Sequence, residues 1–174
     1  DESGISYEAF ANGSGYLKPA LMARYDEKYG GSPIGEYIRT SRKVTDNPTD
    51  AFIIGKKSAD EIFVSCKSSG ERNTIAEMLR ADSDIQLCFL EDTFLEITRR
   101  GTDKGTAFEF LCEYLGISMQ NTAAFGDNAN DLALLDAAGL SVAMGNAPDP
   151  VRQRADLITD TNENDGVAKV LDRF

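Results

Sequence analysis

The C-terminal half of the chain alternates short apolar runs with amphipathic helical patterns, and this alternation restricts the fold more than any other feature. Strands are predicted at 122–125, 140–144 and 156–159. Helices are predicted at 104–115, 128–138, 148–155 and 163–174. Strands and helices that alternate across such short loops form βαβ units around a parallel sheet. The sequence therefore predicts an α/β architecture for residues 94–174.

The first half of the chain follows a different pattern, which is typical of an α+β domain with antiparallel strands. Helices are predicted at 21–29 and 72–80, and strands at 51–55, 61–66, 85–90 and 94–98. The first two strands can form a hairpin across 56–60. Residues 41–50 are polar and rich in turn formers, which indicates an exposed loop. We therefore expect two domains, with a boundary near residue 93.

Composition removes several classes of function. The 174 residues include no histidine, which excludes Ser-His-Asp and Cys-His catalysis and His-ligated zinc. The net charge is −11 and neither half is basic, so binding to nucleic acid through its phosphates is not expected. No apolar run is long enough to span a membrane. Three widely separated cysteines fit reduced cytoplasmic thiols better than a disulfide framework.

The most distinctive segment is the sequence GDNAND at residues 126–131, which follows the predicted buried strand 122–125. Open α/β sheets bind ligands beyond the carboxyl ends of their strands. The oxygens of Asp127 and Asp131 suit Mg²⁺, which takes one or two protein carboxylates and keeps most of its waters. The helix that follows would offer free N–H groups and a positive partial charge to a phosphate. The segment therefore predicts a Mg²⁺ and phosphate site.

A purely structural interpretation of the same segment is also open. Asn128 can cap the following helix, and Asp131 at its third position can complete a capping-box-like start. For Asp131 alone the two interpretations weigh equally. The whole sequence, placed after a buried strand, favours function.

Lys104 opens the helix predicted at 104–115, with Gly105 beside it. A lysine at a helix start opposes the helix dipole, and a residue that breaks a local rule is a candidate for function. Most lysines are nevertheless solvated surface residues. On local grounds alone, the surface interpretation is favoured for Lys104.

Other polar segments have simpler explanations. Residues 145–147 (Gly-Asn-Ala) follow the strand 140–144 and are expected to form a tight turn near the site, without direct chemistry. Residues 162–166 are expected to cap the last helix. A solvated face, rather than a substrate contact, is expected for the basic residues Arg39, Arg42, Lys43, Lys56 and Lys57.

The chain resembles the Cof-type phosphatases of the haloacid dehalogenase superfamily, which carry a large α+β cap. The matching positions are 94–97, Lys104 with Gly105, 126–131, 142–147, Ala155 with Asp156, and 165–168. They occur in the family's order over about the last 80 residues, which is more specific than any one motif. The first half is similar only in position and in its mixed pattern. The resemblance implies an α+β cap at 1–93 and the C-terminal half of a Rossmann-like core at 94–174.

The resemblance also implies a chemistry. In these phosphatases an aspartate attacks the phosphoryl group, and water then hydrolyses the aspartyl-phosphate. By resemblance, Asp127 binds Mg²⁺, and Asp131 holds the metal's water shell or orients its neighbours. Lys104 steadies the nucleophile and the transferring charge, and Asn130 contacts the substrate phosphate. The cap closes over the site and selects the leaving group.

The sequence departs from the family in one respect. The nucleophile motif Asp-x-Asp-Gly-Thr does not occur, and neither does the Ser/Thr motif that follows it. The nearest segment, residues 82–86, lacks the Gly-Thr pair, follows a predicted helix and is expected to be a loop. The chain is therefore expected to be the C-terminal part of a longer polypeptide. Its N-terminal segment would supply the nucleophile and a strand beside 122–125, whose edge is otherwise unpaired.

The expected function is hydrolysis of small phosphorylated metabolites, such as sugar phosphates, with Mg²⁺ as cofactor. A phosphomutase and a non-catalytic module that binds metal and phosphate are the alternatives. An Asp-x-Asp-Gly-Thr motif in the upstream coding sequence would support an enzyme. Product analysis with a doubly phosphorylatable sugar would separate a hydrolase from a mutase.

The purified 174-residue chain is expected to hydrolyse phosphomonoesters at no more than the background rate, because the attacking carboxylate is expected to lie elsewhere. Release of inorganic phosphate from a sugar phosphate in the presence of Mg²⁺ measures this activity. A normal enzymatic rate from this chain alone would mean that the nucleophile lies within it.

Overall fold

The computed structural model describes residues 5–53 and 58–174, which form two compact units divided between Arg100 and Gly101. The helices are α1 (Pro19–Tyr29), α2 (Pro33–Ser41), α3 (Asp50–Ile53), α4 (Ser69–Leu79), α5 (Lys104–Leu115), α6 (Leu132–Ala137), α7 (Asp149–Arg152) and α8 (Gly166–Leu171). The strands are β1 (Ser6–Ala11), β2 (Ser14–Leu17), β3 (Arg42–Val44), β4 (Glu61–Ser65), β5 (Ile85–Leu90), β6 (Phe94–Arg99), β7 (Ala123–Gly126), β8 (Leu140–Ala143) and β9 (Leu157–Ile158). Short 3₁₀ turns lie at Met119–Asn121, Ala129–Asp131 and Asn162–Asn164. Within the described part of the chain, no helix is both long and apolar enough to cross a bilayer.

The first unit is built on one mixed sheet in the order β3-β2-β1-β4-β6-β5. Its neighbouring strands run antiparallel, as predicted, except for the parallel pair β2–β3. Helix α4 packs on the sheet through Ala76, which clusters with Val64 and Leu95. Helix α1 packs through Leu21 and Tyr25 against Leu17 of β2. Leu17 pairs with Glu8, whereas Val64 pairs with the neighbouring Tyr7, so α1 and α4 lie on opposite faces of the sheet.

Strand β6 lies between β4 and β5, so it belongs to the first unit. The boundary predicted near residue 93 precedes β6, whereas the division in the structure follows it. The reason is the tight turn between Leu90 and Phe94, which pair directly with each other. A hairpin turn of this kind joins two strands of one sheet, so it does not separate two units.

The strand predicted at 51–55 is wrong over its described part, because Asp50–Ile53 is the short helix α3. Residues 54–57 lie outside the described residues, and they include two of the five residues of the predicted hairpin loop 56–60. Strand β4 pairs with β1 and β6. A short apolar run carries no periodicity that separates helix from strand, and the preceding Asn-Pro turn favours helical hydrogen bonds at Asp50 and Phe52.

The predicted loop at 41–50 contains the unexpected strand β3, which is anchored by Arg42. The Arg42 guanidinium donates to the carboxylate of Glu8 at 2.9 Å, and only 11% and 4% of these two side chains are exposed. The buried Glu8 also accepts from the Tyr25 hydroxyl at 3.2 Å. Arg42 is therefore a buried ion-pair partner and not part of a solvated basic face. Lys56 and Lys57 lie outside the described residues.

The second unit contains a parallel sheet in the order β7-β8-β9, as the alternating pattern predicted. Within the described residues, β7 pairs with β8 and lies at the edge of this sheet. Leu135 of α6 and Val151 of α7 pack with the strand residues Ala124 and Ala143. Because β7 and β8 are parallel, their carboxyl ends lie at the same end of the sheet. This end is where the candidate site lies.

Asp156, the residue before β9, links β9 to β8 through hydrogen bonds with Ser141. Its carboxylate accepts the backbone N–H of Ser141 at 2.9 Å and the Ser141 hydroxyl at 2.7 Å. The Asp156 N–H donates back to the same hydroxyl at 3.0 Å. These hydrogen bonds to the ionised form lower the pKa of Asp156.

Candidate active site

Strand β7 ends at Gly126, where the chain turns into the loop that carries Asp127. A side chain at position 126 would place its Cβ 2.6 Å from the Cβ of Asp131. Only glycine leaves room for Asp131 to fold back under the turn. The loop can therefore close over its own second aspartate.

Asp131 holds this loop together from inside. One carboxylate oxygen accepts the N–H groups of Asp127 at 2.8 Å and Asn128 at 3.0 Å. The other accepts the ammonium of Lys104 at 2.5 Å. Asp131 is only 5% exposed, and three charge-assisted hydrogen bonds compensate for its buried charge.

The structural interpretation of Asp131 is confirmed, because Asn128 and Asp131 form a capping box. The Ala129 N–H donates to the Asn128 side chain at 2.8 Å. Three backbone N–H groups of the turn are thus used inside the loop. Of the N–H groups at the start of the helix predicted at 128–138, those of Ala129 and Asp131 are bonded within the loop and are not free for a phosphate.

Lys104 is the first residue of α5, which begins and ends where the sequence predicted. Asp103 caps the helix start, and Gly116 ends it in the left-handed conformation with φ 67°. Gly105 lets α5 approach α6 closely, since a Cβ there would lie 2.5 Å from the carbonyl oxygen of Ala133. This approach brings Lys104 to Asp131. Half of the Lys104 side chain stays exposed, so its ammonium is paired but accessible.

Asp127 is exposed at the tip of the loop and has a partner that the sequence did not indicate. Its Oδ2 accepts from the side-chain amide of Asn146 at 3.1 Å. Asn146 follows β8, the strand next to β7, so parallel pairing brings the two residues together. The turn at 145–147 was expected to lack direct chemistry. A Gly-Asn turn at the same sheet edge was the signal that could have indicated this contact.

Asn130 lies between these groups, in the 3₁₀ turn Ala129–Asp131, and is half-buried. The structure therefore brings Lys104, Asp127 and Asp131 together, with Asn130 in the same turn. Of the segment 82–86, which was expected to be a loop, residues 82–84 form one, in which Asp82 accepts a hydrogen bond from the N–H of Asp84 at 2.9 Å, whereas residues 85 and 86 begin β5. It belongs to the first unit.

The donors of this loop fit a Mg²⁺ ion with a single protein carboxylate. Asp127 is exposed, and its Oδ2 accepts a hydrogen bond from the side chain of Asn146. Asp131 is already occupied by Lys104 and two N–H groups. No group of three or more acidic or cysteine side chains that could hold a metal occurs in the described ranges. Mg²⁺ commonly takes only one or two protein carboxylates, so one exposed carboxylate such as that of Asp127 is compatible with this ion.

A family model described as haloacid dehalogenase-like hydrolase matches residues 8–171 of the chain. The 5-amino-6-(5-phospho-D-ribitylamino)uracil phosphatase YcsE of Bacillus subtilis is 44% identical over 100 residues, which are 58% of this chain and 40% of that protein. A putative phosphatase of Haemophilus influenzae is 43% identical over 140 residues, or 78% of this chain and 51% of that protein. The chain thus spans about half the length of the curated relatives it matches.

A solved structure of a haloacid dehalogenase-like hydrolase from B. subtilis superimposes with a TM-score of 0.80 at 22% identity. The superposition covers 99% of this chain and 66% of that chain. At this level of identity the likeness concerns the fold. It extends over both units of the chain.

Replacing Gly105 by alanine is expected to destabilise the second unit by about 1–3 kcal/mol, because the new methyl group collides with the Ala133 carbonyl. Gly70→Ala is the matched control. Gly70 is likewise the second residue of its helix, but a methyl group there would meet nothing closer than 3.7 Å. The control is expected to be neutral or stabilising by about 0.5–1 kcal/mol.

Thermal unfolding followed by circular dichroism measures both variants. If Gly105→Ala unfolds at the same temperature as Gly70→Ala, the close packing of α5 on α6 is not as described.

Proposed function

Because the chain belongs to the haloacid dehalogenase-like hydrolases, we propose that it is the metal- and phosphate-binding part of a Mg²⁺-dependent phosphatase. The substrate class is small phosphorylated metabolites, such as sugar phosphates. The B. subtilis relative is named for a phosphorylated ribitylamino compound, which supports this class. Three cysteines without a disulfide fit a protein of the cytoplasm.

The observation that carries the proposal is the arrangement around Asp131. This buried carboxylate contacts the ammonium of Lys104 with one oxygen and the backbone of Asp127 with the other. Asp131 thus fixes the Lys104 ammonium and the exposed Asp127 beside each other. Binding a phosphate together with a hard metal ion requires an ammonium for the phosphate and a carboxylate for the metal. Both groups must be in position before these ligands bind.

The roles of the side chains follow from their exposure. Lys104 is half exposed and directs its ammonium into the loop, where it can balance the charge of a transferring phosphoryl group. Asn130 offers an amide to a phosphate oxygen from the same turn. Asp131 is buried, so its main role is to orient Lys104 and the loop. Holding the water shell of a metal is its lesser role.

Asp127 would hold the Mg²⁺ ion through its exposed carboxylate. When bound, Mg²⁺ supplies positive charge that offsets the negative charge of the phosphate. The chain carries a net charge of −11, so local positive charge is needed for an anionic substrate. In this loop, Lys104 supplies the protein's share of that charge.

The attacking carboxylate is proposed to come from a segment outside residues 1–174. The loop supports this proposal, because three donors already occupy Asp131. Within the described residues β7 is an edge strand that pairs with β8, so its other side could pair with a further strand. The first unit would act as the cap that selects the leaving group.

Asp127→Ala in the complete gene product is expected to lower Mg²⁺-dependent phosphatase activity by at least about 100-fold, since the metal loses its protein carboxylate. The fold should persist, because the side chain is exposed. Phosphate release at saturating Mg²⁺, with circular dichroism as the folding check, measures the effect.

Asp172→Ala is the control, as this exposed aspartate at the end of α8 lies outside the loop and is expected to keep full activity. Near wild-type turnover by Asp127→Ala would remove Asp127 from the metal site.

A further inference from the structure

We propose that Asn146 is a positioning residue that holds the Asp127 carboxylate ready for the divalent cation. This inference rests on the proposed function and adds a residue to it. The Asn146 Nδ2 atom donates to Asp127 Oδ2 at 3.1 Å, across 19 positions of sequence. The contact joins the loop after β7 to the turn after β8.

The orientation of the Asn146 amide is fixed by its other end. The backbone N–H of Asn162 donates to Asn146 Oδ1 at 3.1 Å. A backbone N–H can only donate, so the oxygen of the amide must face Asn162 and the nitrogen must face Asp127. The hydrogen-bond network therefore determines the direction of the donor.

The residues on either side of Asn146 are restrained by hydrogen bonds and by packing. The Gly145 N–H donates to the Asp160 carbonyl at 3.1 Å, and the Arg152 guanidinium donates to the Gly145 carbonyl at 3.3 Å. A Cβ at position 145 would lie 3.0 Å from the Thr159 carbonyl oxygen, which leaves little space for any residue but glycine. Ala147 is buried on the other side.

A neutral amide suits this position for a chemical reason. A lysine or arginine on the Asp127 carboxylate would neutralise the charge that attracts a cation. In this loop the lysine is directed to Asp131, and Asp127 receives an uncharged donor. Asn146 thus restrains one oxygen of Asp127 while the carboxylate keeps its negative charge.

The exposure of Asn146 separates this role from a structural one. The side chain lies at the surface, so its removal opens no cavity in the core. Hydrogen-bond partners of metal-binding carboxylates typically contribute about 10- to 100-fold to metal affinity. Asn146→Ala is therefore expected to change cation binding without changing the fold.

The test uses the complete gene product and Mn²⁺ alone as the probe, with free Mn²⁺ measured by electron paramagnetic resonance. Asn146→Ala is expected to weaken Mn²⁺ binding by about 10- to 100-fold at an unchanged unfolding temperature. In turnover, the Mg²⁺ concentration for half-maximal activity should rise by a similar factor, and excess Mg²⁺ should restore most of kcat. Asn121→Ala, another exposed asparagine of the second unit, is the control and should bind Mn²⁺ as the wild type does.

A second pair of variants changes the partner of Asn146 instead. Asn162→Pro removes the N–H that orients the amide, whereas Asn162→Ala keeps it. Residue 162 is the first of its 3₁₀ turn, and Thr161 before it is extended with ψ 165°, so proline is compatible there. The proline variant is expected to weaken Mn²⁺ binding several-fold more than the alanine variant does.

The outcomes distinguish the two proposals. If wild-type protein binds Mn²⁺, Asp127→Ala does not and Asn146→Ala binds as the wild type does, the positioning role is overturned and the metal site stands. If the wild type and Asp127→Ala bind Mn²⁺ equally weakly, the metal site itself fails and the role of Asn146 fails with it. Weaker binding by Asn146→Ala together with a lower unfolding temperature would also overturn it, because the effect would then be structural.

Discussion

The buried carboxylate of Asp131 is the constraint on which the candidate site depends. An aspartate that is 5% exposed must have its charge compensated, and the chain does this with the Lys104 ammonium and two backbone N–H groups. Each of these hydrogen bonds requires a glycine at another position of the chain. Lys104 can reach Asp131 only because Gly105 lets α5 lie against α6, and the loop can close over it only because Gly126 has no side chain. The loop geometry therefore follows from satisfying one charge.

The burial of Asp131 also gives Asp127 and Asp131 different roles. The resemblance gave the metal to Asp127, and gave Asp131 the metal's water shell or the orientation of its neighbours. In the structure the surroundings of the two carboxylates also differ. Asp131 is buried and surrounded by donors, so it acts as an anchor. Asp127 is exposed and receives a neutral amide from Asn146, so it keeps a charge that can attract a cation. The fold thus makes one carboxylate structural and leaves its neighbour accessible.

Sequence reasoning was most successful where local chemistry determines structure. The bounds of α5 follow from the Asp103 cap and the left-handed Gly116, and both can be read from the sequence. The strand predicted at 51–55 was wrong because a short apolar run has no periodicity. The strand β3 was missed because it depends on an ion pair between Arg42 and Glu8, 34 residues apart. The contact of Asn146 with Asp127 was missed for a similar reason, since only the pairing of β7 with β8 creates it. Local signals thus predicted the helices and strands of the second unit and, in the first unit, α1, α4, β4, β5 and β6. The remaining elements of the first unit were not predicted, namely β1, β2, β3, α2 and α3.

The central claim is that the loop after β7 binds a divalent cation through Asp127, and paramagnetic broadening by Mn²⁺ tests it most directly. The measurement is a titration of the ¹⁵N-labelled complete gene product, followed by two-dimensional NMR. We predict that the amide signals of residues 126–131 and 145–147 broaden first, while those around the exposed Glu109 and Glu113, toward the far end of α5 from Lys104, broaden later. Broadening that begins around Glu109 and Glu113, or that spreads evenly over the acidic surface, would contradict this claim.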